Sequence, residues 1–219
     1  NAQKDPDLFK DALEELHKAE ELRKQDYFVL HRLGMIYLYA TNFMNPEKAL
    51  NYFETAAKYA SVESDPKAIR LANVLVGTDD EDAITNIQHM AADSFKKAAL
   101  AAYAIGKFDV AEINQNKALE LNETSENTFL LAKYMVRNDN IRLAIKCLDS
   151  AISSSPALFE GVFRDLDLIN DPNILDFLKK KNDSINLKIQ QVINKEHLTE
   201  GDIDTLCGDN FNSILKSSY

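Results

Sequence analysis

The chain is poor in glycine, proline and cysteine, and it has no tryptophan. Its 219 residues include six glycines, five prolines and two cysteines. So few turn-forming residues argue against a β-rich fold, which needs many tight turns, and against long disordered linkers. The two cysteines, Cys147 and Cys207, are too few for a disulfide framework and lack metal-ligand spacing, so we expect a reducing compartment. A single bridge between them stays an alternative.

Basic residues and long apolar runs are also scarce. The 25 basic and 35 acidic side chains give a formal net charge of −10. This balance argues against nucleic-acid binding, which needs a concentrated basic footprint, and against an anchor on anionic lipid. No apolar run approaches the roughly 20 residues that span a bilayer. We therefore expect no membrane insertion and a cytoplasmic location. A removed signal peptide is the alternative, because the polar start at Asn1 lacks an initiator methionine.

Signals for helices recur along the whole sequence. Asp5, Asn45 and Asp171 each precede a proline, and proline suits the first position of a helix. Apolar residues recur at helical spacing after each of these steps. The pattern predicts an all-α fold. In chain order, the predicted helices are one from Pro6, one over about 26–40, one from Pro46, an insert helix over about 62–80 and one over about 80–105. Three more follow before Pro156, and a long one covers about 172–196.

Four of these helices contain a triad of a small residue, a large residue four positions on, and a small residue three further. The triads are Ala12-Leu16-Ala19, Ala49-Phe53-Ala56, Ala111-Gln115-Ala118 and Ala144-Leu148-Ala151. Residues at this spacing share one helix face. The alanines would let a neighbouring backbone approach closely, while the large residue fills the space between the helices. The triads therefore predict helices packed in close contact.

The helix before two of the triads carries the pattern Leu-Gly-x-x-Tyr or a looser copy. Leu33-Gly34-x-x-Tyr37 precedes the second triad, Leu131-Ala132-x-x-Met135 precedes the fourth, and Pro156 follows the fourth. Together these residues resemble the tetratricopeptide repeat (TPR), a helix-turn-helix unit of about 34 residues. The longer loop before the second triad resembles the Sel1-like variety of that repeat. The resemblance covers roughly residues 5–160.

The resemblance implies a right-handed superhelix of antiparallel helix pairs, a TPR-like solenoid whose stacked pairs bury a continuous core. It implies repeats over 1–157 and a C-terminal helical cap over 158–219. A stripe at helical spacing runs along the long helix of the cap, and its members are Ile174, Leu178, Lys181, Ile185, Ile189 and Val192. The stripe would pack on the last repeat in a capping helix, or join two chains in a homodimer.

The resemblance also implies a binding surface, the concave face lined by the first helix of each pair. Transferred by register, the residues on this face are Phe28, His31, Met35, Leu38, Lys96, Leu100, Tyr103, Phe129 and Lys133. Aromatic side chains and methionine with a few cations suit an extended peptide or a helix that carries apolar anchors and acidic groups. Alternatively, some of these residues simply pack between helices.

Motifs for bond chemistry are missing from the sequence. It contains no H-E-x-x-H, no glycine-rich phosphate loop and no G-x-S-x-G. Tyr37, Tyr39, Tyr52 and Tyr59 cluster, but the sequence indicates no base to work with them. We expect no cofactor, no metal and no catalysis, and a role in binding a protein or peptide. A regulatory or targeting domain of a larger enzyme or signalling protein is the alternative, since the first repeat lacks its first half. A helical hydrolase or metalloprotein is disfavoured.

Overall fold

The structure is a computed structural model that describes residues 6–60 and 80–193. Within these ranges it contains ten α-helices and no strand, which confirms the predicted all-α class for this part of the chain. The helices are α1 (Pro6–Leu22), α2 (Tyr27–Tyr39), α3 (Pro46–Ala60), α4 (Asp80–Ala104), α5 (Phe108–Leu121), α6 (Ser125–Arg137), α7 (Ile141–Ser154), α8 (Leu158–Arg164), α9 (Leu166–Ile169) and α10 (Pro172–Ile193). Residues 62–79 of the predicted insert helix and residues 194–219 lie outside the residues that the structure describes.

The helix ends follow the local chemistry that the sequence predicts. Helices α1, α3 and α10 begin at the expected prolines. Before α3, Asn45 Oδ1 accepts a hydrogen bond from the backbone N–H of Lys48 at 3.0 Å. Before α10, Asp171 Oδ1 accepts from the N–H of Asn173 at 2.8 Å. Helix α4 ends before Gly106, which has a φ of 74°. Residues other than glycine rarely adopt this backbone conformation, so Gly106 is suited to end the helix.

Three of the four triads are buried as predicted. Ala49, Phe53 and Ala56 have no exposed surface, and the triads of α5 and α7 are at most 1% exposed. The expectation for the first triad was wrong. Ala12 is exposed on α1, and Leu16 and Ala19 are only half-buried. The triad of α1 is thus not enclosed by neighbouring helices as the other three are.

The chain divides into two compact units, Asn1–Asn127 and Thr128–Tyr219. In the first unit, α2 and α4 lie side by side. The Tyr27 hydroxyl donates a hydrogen bond to the carbonyl of Met90 at 3.1 Å, and His31 Nδ1 lies 2.8 Å from Ser94 Oγ. The second contact is four residues, about one turn, further along both helices. The two helices therefore run in the same direction.

Helices α3 and α5 of the first unit are paired in the same way. Lys107 Nζ donates to Glu47 Oε1 at 3.2 Å, and Asn114 Nδ2 donates to Glu54 Oε1 at 2.8 Å. Lys107 directly precedes α5, and the second contact lies about two turns further along in both α3 and α5. Since α2 also packs on α3 and α4 on α5, the unit contains two adjacent helix pairs in the same order.

The second unit repeats this parallel contact between helices. In α6, the Phe129 ring lies 3.8 Å from where a Cβ on Gly161 of α8 would be. Four residues further along, Lys133 Nζ donates to Asp165 Oδ2 at 2.8 Å. Both contacts join positions in α6 to positions in or just after α8. Helix α6 and helix α8 therefore run in the same direction.

Helix α10 packs against α7 in the second unit. Lys181 Nζ donates to Asp149 Oδ1 at 2.6 Å and to Ser153 Oγ at 3.1 Å. Ile174 and Leu178, the first members of the predicted stripe, are buried. The start of the stripe is therefore used inside the unit. No helix in the described part of the chain combines the length and the apolar character needed to cross a bilayer.

Candidate binding face on helices α2 and α4

The candidate residues of α2 differ in how far they reach solvent. Phe28 and Met35 are half-buried and expose part of their side chains to solvent. Leu38 is only 7% exposed, so it offers almost no surface to a partner. The His31 side chain is 17% exposed and lies against α4. Phe28 and Met35 are therefore the candidates on this helix with apolar surface still available.

Two further residues complete the outer stripe of α2. Arg32 is exposed, and Tyr39 is 49% exposed. With Phe28 and Met35 they follow the spacing i, i+4, i+7 and i+11, which places all four on one face. Transfer by repeat register missed both residues. The signal that could have found them was Arg32, the only arginine or lysine in a helix that is otherwise almost entirely apolar.

The candidates of α4 share one face of that helix. Lys96 and Tyr103 are half-buried, and Leu100 is 38% exposed. The Tyr103 ring packs at 5.7 Å, centroid to centroid, from Phe108 at the start of α5. Because the three residues are spaced i, i+4 and i+7, they form a continuous stripe. We call the outer stripes of α2 and α4 together the α2–α4 face: Phe28, Arg32, Met35, Tyr39, Lys96, Leu100 and Tyr103.

A polar network joins the two helices beneath this face. Asp93 Oδ2 lies 3.6 Å from His31 Nε2, and Lys97 Nζ donates to both oxygens of Asp93 at 2.8 and 2.9 Å. Burial lowers the pKa of His31, although Asp93 acts in the opposite direction. Burial also raises the pKa of Tyr27 to about 12. Both rings are therefore uncharged at neutral pH, as suits a packed junction between helices.

The order Asp93, His31 and Ser94 superficially resembles a hydrolase triad. Ser94 Oγ lies 2.8 Å from the His31 imidazole, but the Ser94 residue has no exposed surface. A nucleophile must reach the substrate atom that it attacks, and a hydroxyl enclosed between two helices cannot do so. Ser94 also donates a hydrogen bond to the Tyr27 hydroxyl at 3.3 Å. These contacts hold α2 against α4.

The charge on the α2–α4 face is positive, against the negative balance of the whole chain. Arg32 and Lys96 have no ion-pair partner among the described residues. Helix α2 contains no acidic residue. From residue 87 to the end of α4, the one acidic side chain is Asp93, and Lys97 neutralises it. On α2 and on residues 87–104 of α4, a partner would therefore meet two cations without a described ion-pair partner and no unpaired carboxylate.

The two candidates of α6 belong to the second unit and are described separately. Phe129 is half-buried beside Gly161. Lys133 Nζ pairs with Asp165 at 2.8 Å and with Asp167 at 3.6 Å, and its side chain is 22% exposed. Phe129 and Lys133 are thus engaged in contacts within their own unit.

Tyr37 and Tyr52, two of the four clustered tyrosines, lie at a junction of α1, α2 and α3. The rings of Tyr37 and Tyr52 stack at 5.7 Å with an interplanar angle of 3°. His17 Nε2 lies 3.1 Å from the Tyr37 hydroxyl, and the Tyr52 hydroxyl donates to Glu20 Oε2 at 3.2 Å. Burial raises the pKa of Tyr52, and the Glu20 carboxylate adds to this effect. A phenol that holds its proton so firmly is suited to hydrogen bonding between helices.

No group of three or more His, Cys, Asp or Glu side chains suited to holding a metal ion occurs within residues 6–60 and 80–193. No protein-family model matches the chain, and no curated protein sequence matches it.

Proposed function

We propose that the chain is a protein-interaction module built from TPR-like or Sel1-like helical repeats, with no catalysis of its own. Its α2–α4 face would bind an extended peptide or a helix of a partner protein. The observation that supports this most is the face itself. It combines partly exposed apolar side chains with two cations, Arg32 and Lys96, that have no described ion-pair partner.

The repeat assignment is supported by the order of the helices in the first unit. In a TPR-like superhelix, the first helices of successive pairs lie side by side and run in the same direction, and so do the second helices. The contacts from α2 to α4 and from α3 to α5 have this arrangement. By this analogy α2 and α4 are first helices, and their outer stripes would line the binding surface.

The size of the apolar contribution indicates what else the partner must supply. Fully burying a Phe, Met or Leu side chain contributes about 1.5–3 kcal/mol relative to leaving it exposed. Phe28, Met35 and Leu100 are already partly buried, so each contributes less than this. A micromolar complex requires about 8 kcal/mol of binding free energy. Polar contacts at the cations, or with the partner's backbone, are therefore needed as well.

The test is affinity capture followed by binding of the purified partner. The full chain, as wild type, Met35→Glu and Leu100→Glu, is used as bait, and captured proteins are identified by mass spectrometry. The matched control is Leu22→Glu, because Leu22 is 85% exposed at the end of α1 and lies outside the α2–α4 face. Circular dichroism verifies that each variant remains helical.

We expect a partner that the wild type and the control capture, that both face variants lose, and that binds the purified wild type directly. If the folded face variants retain every partner of the wild type, the proposed function is wrong.

A further inference from the structure

We infer that the α2–α4 face selects a polypeptide segment with acidic side chains between its apolar anchors, and that Arg32 and Lys96 determine this specificity. The inference rests on the proposed function and specifies the partner's chemistry. Its basis is the charge that the two helices leave available. Arg32 lies on α2 and Lys96 on α4, and neither has an ion-pair partner among the described residues.

Asp93, the one carboxylate between residue 87 and the end of α4, does not cancel this charge. Asp93 contacts Lys97 through both of its oxygens and also lies against His31. It is therefore already neutralised within the helix junction. A carboxylate of a bound segment would face Arg32 and Lys96 with Asp93 already paired, and α2 contributes no acidic residue.

The net charge of −10 raises the question whether an acidic segment would be repelled. At physiological salt, exposed charges more than about 8 Å apart are largely screened from one another. Contacts at the face are shorter than this, so the local cations decide which segment binds there. The same reasoning disfavours nucleic acid, because two cations replace few counterions along a phosphate backbone.

The experiment titrates the ¹⁵N-labelled full chain with three synthetic peptides that share the same Leu and Phe anchors. Their intervening positions are all Glu, all Gln or all Lys, and a single-stranded oligonucleotide is a fourth ligand. Binding is located by chemical-shift changes in α2 and α4. The variants are Arg32→Glu with Lys96→Glu, and a control with the same change in net charge, Lys10→Glu with Lys24→Glu. Lys10 and Lys24 are exposed and lie outside the face.

We expect the Glu peptide to bind the wild type about tenfold more tightly than the Gln peptide, and the Lys peptide to bind most weakly. The Arg32 and Lys96 double variant should reverse this order, while the control should preserve it. Equal affinity of the three peptides at the face would overturn the charge inference alone. Preferential binding of the oligonucleotide, or reversal by the control, would also overturn it. If no peptide shifts α2 or α4, the proposed function fails and the inference fails with it.

Discussion

The Gly34 backbone lies directly against the Phe53 ring. A Cβ built on Gly34 would be 2.8 Å from Cε1 and 2.9 Å from Cδ1 of that ring, and Phe53 has no exposed surface. These distances are shorter than ordinary van der Waals contact, so α2 and α3 approach as closely as they do only because residue 34 has no side chain. This contact joins the Leu-Gly-x-x-Tyr pattern of one helix to the small-large-small triad of the next.

Adding one methyl group at this contact should destabilise the protein. Overpacking a core costs about 1–3 kcal/mol, which exceeds the roughly 1 kcal/mol that alanine gains over glycine within a helix. We therefore expect Gly34→Ala to lower the free energy of unfolding, measured by urea denaturation. Phe53→Leu should create a space that the added methyl group partly fills. The double variant should thus lose less free energy of unfolding than the two single variants lose together. Strictly additive losses would contradict the contact.

The hydrogen bond between Asn114 and Glu54 tests the pairing of α3 with α5. Asn114 is fully buried, and its amide nitrogen donates to Glu54 Oε1 at 2.8 Å. Asn114→Asp would replace that donor with an oxygen facing a carboxylate, and we expect a loss of about 2–3 kcal/mol in the free energy of unfolding at neutral pH. Adding Glu54→Gln restores a donor and an acceptor, so it should recover much of the loss. A failure of the second change to recover stability would argue against this register.

The pKa of His31 predicts a loss of stability in mild acid. Burial holds it below the ordinary value of 6.5 in the folded chain. As the pH falls below about 6.5, the unfolded chain therefore binds a proton that the folded chain does not, and stability declines. The stability that uncharged His31 contributes to the folded chain is fully present well above that pH.

This prediction is checked by comparing the wild type with His31→Gln in urea at about pH 7.5 and about pH 5.5. The wild type should lose more stability between the two conditions than the variant does, by up to about 1 kcal/mol. Equal losses would show that His31 is as easily protonated in the folded chain as in the unfolded one.

The ion pairs of Lys133 should contribute to stability in the second unit. The side chains of Asp165 and Asp167 are 15% and 16% exposed, so removing Lys133 takes a cation from two poorly solvated carboxylates, although Arg137 still lies 3.5 Å from Asp167. We expect Lys133→Met to lower the free energy of unfolding by about 1–3 kcal/mol. Lys180→Met is the control, because Lys180 pairs with Asp176 at the surface. Such exposed pairs contribute about 0.3–0.5 kcal/mol. Similar effects of the two substitutions in thermal denaturation would contradict the structural role of Lys133.

Local chemistry made much of the fold predictable from the sequence. A polar residue followed by proline marked the start of three helices, and Gly106 marked the end of α4. These signals depend only on a few neighbouring residues. The triad of Ala49, Phe53 and Ala56 also predicted a close contact, because residues at this spacing share one helix face and the two alanines leave room there for a neighbouring helix.

The rotation of α2 about its axis was harder to predict. Nearly all of its residues are apolar, so the periodicity does not distinguish the buried side from the exposed side. Register transferred from the repeat family therefore included Leu38, which is buried, and missed Arg32 and Tyr39, which are exposed. The tertiary neighbours of the helix decide this rotation, and they do not appear in its own sequence.

The polar member of the third triad has an explanation that only the structure provides. Gln115 is fully buried, and its Nε2 donates a hydrogen bond to the carbonyl of Asn127 at 2.9 Å. This bond satisfies a backbone group near the start of α6. A sequence pattern can mark the position as large, but it cannot identify a partner twelve residues away.

Hydrogen–deuterium exchange of the full chain, with and without a captured partner, tests most directly whether the α2–α4 face is the binding surface. We expect the partner to slow exchange in α2 and in the later part of α4, with no comparable change in α3 and α5, the second helices of the proposed repeats. Protection confined to α3 and α5, or absent from α2 and α4, would contradict the proposed binding surface and the function assigned to it.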